Sequence, residues 1–568
     1  MILVPADVLS RAPMPWGPTL RAARHHSLRR IGWFGVDRAL RALEAGLPVR
    51  LHAAADRATR RDRADAGALR RWGGSPAAEM LLPPLDPESD PRAGRLRILG
   101  WSRASDPAAP DWASEGMPAL FAERVHYLRD PVAVAAAGDP DFLATVLEDH
   151  WTRCRPGRGA AWRPFPLARR SLNLLRLWAV LEGRGAVTEP LRRELDRHTR
   201  VAAALLSVRL ERHSRGNHVL TELAALACSA RVRGGRPRGV LERLVEEAAR
   251  QFLGGGGHHE RSPRYHLDVV RDLLDVIIAW GDDLPDGPRA GLGRLVTRGV
   301  AFGAALSHGD GDVALFNDGA LGDGPTWEEI ARAATAAGLR VPDPERFVAF
   351  PEEGYVVDRR GDRRLLVDCG PPGPPEQAAH AHCDILSFEL SDGPRRVVGN
   401  RGTSDYSGPG RRATRGTASH STLQVGDLEQ AELVGDFRVG RRAAPELVEA
   451  SPDRIAGRLT YPDGGVVHER AWTPGTGDDL VVVRDRVKGR GDRGAVARFH
   501  LPDATDVAVD GGVSWRVGGR RYSLSAGGGR VRAFASTWHP RPGASRPAWT
   551  AEVTLGQDEA VTTIRRSS

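Results

Sequence analysis

The sequence predicts an α+β chain, helices first and antiparallel sheet second, on three observations. Its 568 residues exceed what one compact core holds, so two or three domains are expected. From about residue 95 to 335, apolar residues recur at three- and four-residue spacing. Near Phe350 the texture changes to short β-rich runs broken by Gly and Asp.

In chain order, residues up to about 90 are rich in Arg, Pro and Ala, with helical periodicity in "VDRALRALEAGLPVRLHAAADRATRR". Then "PLARRSLNLLRLWAVLEG", "LDRHTRVAAALLSVRLERH", "NHVLTELAALACSARV", "VLERLVEEAARQFL" and "RYHLDVVRDLLDVIIAWG" each carry one apolar stripe, separated by Gly- and Pro-containing breaks. Successive amphipathic helices with little strand between them suggest a bundle or an α/α toroid. "GYVVDRRGDRRLLVDCG", "RRVVGNRG", "STLQVGD", "GRLTYPDGGVVHERAWT", "DLVVVRDRVKG" and "GGRVRAFASTW" come next, the pattern of an antiparallel sandwich. The expected division is an N-terminal extension over 1–94, a helical domain over 95–340 and a β domain over 345–568.

Net charge is +9, yet Lys488 is the sole lysine, and the arginines alternate with acids rather than forming a block. That distribution argues against a nucleic-acid partner, which needs a basic stripe, and is compatible with an acidic substrate. The four cysteines, Cys154, Cys228, Cys369 and Cys383, show no CxxC pairing, which argues against a disulfide framework. No apolar run reaches 18 residues, so no membrane span is expected. The N-terminus lacks an uninterrupted apolar stretch after a basic start, so the expected compartment is the cytoplasm.

Polar groups gather in two places. In "HSRGNHVLTEL", Asn217 and His218 head an apolar helix, where Asn217 reads equally as a cap. "GGGGHHERSPRYH" sets His258, His259, Glu260, Tyr265 and His266 behind four glycines, either a close approach to a ligand or a plain connector. In the β half, "HAHCDILSFEL" alternates His380, His382 and Asp384, which on a strand would share one face and turn Cys383 away. His382, Asn400 and His420 could form a three-point metal site, though ligands so far apart in sequence carry no specificity.

These pieces, in this order, resemble the heparinase II/III-like polysaccharide lyases, a superfamily that includes the oligoalginate lyases. "RILGWSRASDPAAPDW", "LFAERVHYLRDP", "GAAWRPFPLARRSLNLLRLW", "RGNHVLTELAALACSA", "GGHHERSPRYHLDVVRDLLD" and "ALFNDGA" look like landmarks of that family's helical domain. "HAHCDILSFELSDGPRRVVGNRGTSDY", "RGTASHST" and "GDFRVGRRA" look like its β-domain signature. The resemblance implies an α/α toroid followed by an antiparallel β-sandwich, with a cleft between them. It implies that Asn217 and His218 face a substrate carboxylate, that Tyr265 is an acid/base group and that His380 is the second proton-transfer residue. It implies a structural Zn2+ on His382, Asn400 and His420, weakened because Asn400 stands where family members usually carry Asp. Periplasmic or secreted relatives keep export open.

The implied chemistry is β-elimination on a uronic-acid glycan, leaving a 4,5-unsaturated sugar. The C5 proton is weakly acidic because the neighbouring carboxylate is already negative, so donors must neutralise that carboxylate. A tyrosine has a pKa of about 10 in water, so acting as a base it would need nearby positive charge. Glu260, Arg415 and Arg438 are the candidate substrate-binding residues, the arginines for carboxylates and Glu260 through orientation of Tyr265. A glycoside hydrolase would need two carboxylates across the cleft, which the motifs do not supply. The alternative is a catalytically silent carbohydrate-binding protein of the same fold, associated with exopolysaccharide metabolism.

Overall fold

A computed structural model describes residues 59 and 62–567, apart from 108, 155–158, 213–215, 235–238 and 377. The periodic stretch "VDRALRALEAGLPVRLHAAADRATRR" lies almost wholly outside the described residues. The N-terminal part is helical and the C-terminal part is built of antiparallel sheets.

The helices are α1 (Ala66–Gly73), α2 (Pro76–Met80), α3 (Ala119–Arg124), α4 (Arg129–Ala136), α5 (Pro140–Arg153), α6 (Pro164–Gly183), α7 (Glu189–Val208), α8 (Asn217–Val232), α9 (Val240–Gln251), α10 (Pro263–Trp280), α11 (Asp286–Ala305) and α12 (Trp327–Ala336). A two-stranded ribbon, β1 (Arg95–Ile98) with β2 (Trp101–Ala104), precedes α3. Helix α6 is buried along nearly its whole length because α1, α7, α8 and α4 surround it. Helix α9, with a single apolar stripe, buries only Leu241, Leu244, Ala248 and Gln251. Between α6 and α10, Arg169 reaches Asp272 at 2.8 Å and Arg176 holds Asp275, fixing which turns of the two helices face each other. Such pairs set register more than stability, because desolvation offsets most of their attraction.

Two helix starts carry polar residues of the sequence motifs. At α10, "SPRY" is a capping sequence: Ser262 accepts a hydrogen bond from the Tyr265 backbone N–H at 3.2 Å, and Pro263 occupies a position that needs no donor. Tyr265 is thereby placed in the first turn of the helix. At α8 the cap position is Gly216, and Asn217 is the first helical residue, its side chain capping nothing.

In the β part, β3 (Phe347–Phe350), β4 (Tyr355–Arg360), β5 (Arg363–Asp368), β6 (Phe388–Asp392) and β7 (Arg395–Val398) form a five-stranded antiparallel meander. Gly361 supplies the positive φ that the tight β4–β5 turn requires. Next come β8 (Leu423–Val425), the ribbon of β9 (Ala431–Val434) and β10 (Arg438–Arg442), and then β11 (Ala444–Ala450), β12 (Ile455–Thr460), β13 (Val467–Pro474), β14 (Asp479–Lys488), β15 (Ala495–Leu501), β16 (Thr505–Val509), β17 (Val513–Val517), β18 (Arg520–Gly527), β19 (Gly529–Trp538), β20 (Arg546–Leu555) and β21 (Glu559–Ser567). They build an eight-stranded sheet in the order β11-β12-β13-β14-β21-β18-β17-β16 and a four-stranded sheet in the order β19-β20-β15-β8. A short helix, α13 (Gly408–Arg415), sits between β7 and β8.

The halves are joined by a third apolar cluster, in which Phe302, Leu306 and Phe316 meet Phe350, Tyr355, Val357 and Leu366. Polar ties flank it: His308 reaches Glu389 at 2.8 Å, and Arg396 reaches Asp310 at 2.8 Å. The four-glycine loop belongs to this seam and not to a ligand. Gly254 and Gly257 donate their N–H groups to Glu352 and Glu353, and a Cβ at either would lie 2.6 Å from those side chains.

Candidate active site

The "HAHCDILSFEL" motif departs from the strand expected of it. Only from Phe388 onward is it β6; residues 380–387 form an irregular loop, with Leu386 at positive φ. The loop is irregular because it wraps around the end of "ALFND". The Asp318 N–H donates to the His380 carbonyl at 3.0 Å, the His382 N–H donates to Asn317 Oδ1 at 3.0 Å, and Asn317 N–H donates to Asp384 at 2.6 Å. Asn317 takes a positive φ to make this turn. Cys383 is buried in a small apolar cluster with Ala381 and Val439.

Asp318 is the centre of the arrangement. It is fully buried and belongs to the helical half, between α11 and α12. One carboxylate oxygen receives His380 Nδ1 at 2.8 Å and the other receives His382 Nε2 at 2.9 Å, while the Arg411 guanidinium of α13 straddles both. Burial alone would raise its pKa, but Arg411 and the two imidazole hydrogen bonds outweigh it and hold the carboxyl well below its usual range. Asp318 is therefore ionised and accepts the Nδ1 proton of His380, which leaves Nε2 as the basic atom. Glu260, buried beneath, brings Oε2 to 3.9 Å from that nitrogen.

A cleft of about 480 Å³ lies between the halves. Asn217, His218, Tyr265 and His380 all line it, together with Tyr406 and Phe437 from the β half. The Tyr265 and His380 rings lie 4.3 Å apart, and the Tyr265 hydroxyl forms a short hydrogen bond with that of Tyr406. Burial, then the charge of Asp318, push the Tyr265 pKa up, and nearby Arg124 does not compensate. The positive surroundings expected to prepare Tyr265 as a base are thus overruled, and it stands as a phenol. His218 stacks on Phe165 at 3.9 Å and holds Glu211 through Nδ1 at 2.6 Å. Burial opposes its charge, but the Glu211 hydrogen bond and carboxylate prevail and raise its pKa above 6.5.

The other candidate residues fall elsewhere. Arg415 is fully buried and spends its guanidinium on the carbonyls of Ala381 and Asp436, each at 2.9 Å; it shapes the loop and does not line the cleft. Arg438 is exposed on β10, also outside the cleft. Glu260 is buried, 3.9 Å from His380 Nε2, and is not among the residues that line the cleft. The cations that do line the cleft include Arg124, Arg169 and Arg271, neutralised by Asp323, Asp268 and Asp272, and Arg163, exposed and without a carboxylate partner among the described residues. Asp318, Arg411 and Tyr406 join the site without having been candidates on sequence grounds.

His382 and His420 face each other with ring centroids 5.2 Å apart. Both are buried and held neutral by burial, His382 at about 4. Among the described residues, His382 Nδ1 and both ring nitrogens of His420 lack hydrogen-bond partners, as ligand nitrogens would. Asn400 Oδ1 already accepts the Ser421 N–H at 2.9 Å, and its amide donates to Glu389. The two imidazoles have nitrogens that would suit a zinc ion, whereas the Asn400 carbonyl, already hydrogen-bonded to Ser421, would add a neutral ligand weaker than a carboxylate.

Residues 342–565 match the family described as "Heparinase II/III-like, C-terminal". Among solved structures, one titled "Crystal Structure of Heparinase III" superposes with a TM-score of 0.63 at 16% identity, covering 80% of this chain and 79% of that one. Heparan sulfate lyase HepC from Pedobacter heparinus gives 0.54 at 17% identity, over 89% and 88%. "FtsZ-localized protein C" of Caulobacter vibrioides is 27% identical over 384 residues, 65% of this chain and 64% of that protein, so just under two thirds of its length is spanned. The β half thus matches the heparinase II/III-like family, and over about four fifths of its length the chain shares the fold of the heparinase III structure.

Proposed function

We propose that the protein is a polysaccharide lyase that cleaves a uronic-acid-containing glycan by β-elimination. The observation that carries this reading is the convergence of Asn217, His218, Tyr265 and His380, from both halves, on one cleft. Asn217 and the raised-pKa imidazolium of His218 neutralise the C6 carboxylate as charge develops on it. His380 Nε2, held by Asp318 on its other side, takes the C5 proton. Electrons form the C4–C5 double bond, the O4 bond breaks, and the Tyr265 hydroxyl delivers a proton to the leaving oxygen. Glu260 stabilises the imidazolium that results. Zinc on His382, Asn400 and His420 would brace the two loops that carry those histidines, away from the reacting atoms.

A second reading, a silent glycan-binding protein, has one specific support: the relative named for its localisation to FtsZ, and not for a reaction. One assay separates the two. The protein is mixed with alginate, heparan, chondroitin, hyaluronan and bacterial exopolysaccharides, and ultraviolet absorbance of the new double bond is followed. Absorbance growing on a uronate polymer is expected; binding without absorbance or new reducing ends on any of them would leave the silent reading.

His218 gives a pH dependence. Its folded pKa is raised, so the contact stabilises the fold fully below the free value of 6.5 and is lost as pH rises through the raised value. Affinity for the anionic substrate should fall over the same window. Glu211→Gln removes the main raising cause, so the rise in KM should begin at lower pH; an unshifted profile would detach His218 from substrate binding.

A further inference from the structure

A second cluster of chemistry-bearing side chains lies in the helical half, away from the cleft. Among the described residues, His126, His150 and Cys154 bring one ligand atom each within 4.8 Å of one another, all three buried. His126 follows α3 in a single 3-10 turn, His150 is on the last turn of α5, and Cys154 is the residue that ends α5. His126 Nδ1 and His150 Nε2 are 3.2 Å apart. Without an ion that contact is an N–H···N hydrogen bond; two nitrogens bound at 2.0–2.1 Å to one tetrahedral ion stand about 3.3 Å apart, so the spacing also suits ligands sharing a metal.

Two further observations bear on a ligand. Among the described residues, Nδ1 of the neighbouring His198 is buried with no hydrogen-bond partner, its ring 5.6 Å from that of His150. Arg170 is buried beside Cys154 and, among the described residues, has the carbonyls of His126 and Ala161 as its acceptors, at 3.2 and 2.8 Å. A metal-bound thiolate would place an anionic neighbour beside that cation.

We infer that His126, His150 and Cys154 bind a thiolate-preferring transition-metal ion, zinc or copper(I), with His198 next in line as a fourth ligand. The ion pins the turn carrying His126 to the end of α5. Glu123, Arg124 and Tyr127, which line the cleft, lie on either side of His126, so the site braces that wall. A monovalent ion and the thiolate cancel, whereas a divalent ion leaves net charge beside Arg170, so the two ions test which charge the pocket accepts.

The test uses the full chain carrying His420→Ala, which removes the imidazole pair of the β half. Separate samples are loaded with Zn2+ or Cu+ under reducing conditions, desalted, and their metal counted by mass spectrometry and probed by X-ray absorption. One equivalent of one ion, with a sulfur neighbour at about 2.3 Å, is expected. Adding Cys154→Ser should remove the sulfur and lower retention at least tenfold, with circular dichroism confirming the fold. His150→Gln, checked in the same way, covers the case in which the serine variant fails to fold. A shell of nitrogen and oxygen alone, no retained ion in either sample, or retention unaltered by both substitutions would overturn the site. None of these outcomes depends on lyase activity.

Discussion

Tyr265→Phe should lower the elimination rate by about 10²–10⁴-fold while leaving substrate affinity within a few-fold of the parent. The substitution deletes one oxygen from a side chain whose backbone stays capped by Ser262 and whose ring stays 4.3 Å from that of His380, so the cleft keeps its shape. What is lost is the proton that the leaving O4 needs, and the hydroxyl's short bond to Tyr406. The raised pKa makes the direction specific: a residue that is a phenol in the free protein serves as the acid, so substrates with better leaving groups should be less affected. The check is a pair of measurements, double-bond absorbance for rate and equilibrium binding for affinity. A Phe variant at parental rate would remove Tyr265 from the chemistry.

Asp318→Asn should be the most damaging substitution to the fold and the site together. It leaves the Arg411 guanidinium buried with no anion, a change that costs about 3–5 kcal/mol where a buried pair is broken. It also removes the acceptor that fixes the His380 tautomer, so activity should fall even in the fraction that folds. The pH sign comes from the depressed pKa. The carboxylate stabilises the fold fully above 3.8 and that contribution disappears as pH falls through the lower folded value. Acid titration by denaturant unfolding should therefore show a steep loss in the parent and a shallower one in Asp318→Asn. His380→Gln separates the roles, because it should abolish turnover while keeping Arg411 paired and stability near parental. Equal stability of Asp318→Asn and parent would remove Asp318 from the centre of the junction.

The helices are legible in the sequence because burial on one stripe writes a period of 3.6 into the chain; "NHVLTELAALACSARV" spans α8 itself. Strand runs are legible for the same reason at period two. The loop of residues 380–387 mimics a strand because alternation of His, His and Asp has a second cause, a chain wrapped around a neighbouring carboxylate, and periodicity alone does not separate them. Arg415 draws a substrate-binding role from its motif because sequence does not distinguish, among 80 arginines, the one that is buried against carbonyls. Asp318 sits in plain view within "ALFNDGA". Its signal is weak, an Asn-Asp-Gly turn after an apolar run, because the partners that reveal its role, at positions 380, 382 and 411, are remote in sequence.

That one acid, contributed by the helices, aligns both imidazoles presented by the sheets. Anyone grafting the sandwich of one homologue onto the helices of another would inherit ring orientations dictated by the donor of the helices. A mismatched transplant would fold as two sound modules around an idle gap, and carrying the Phe316–Asp318 turn along with the sheets is what would restore it.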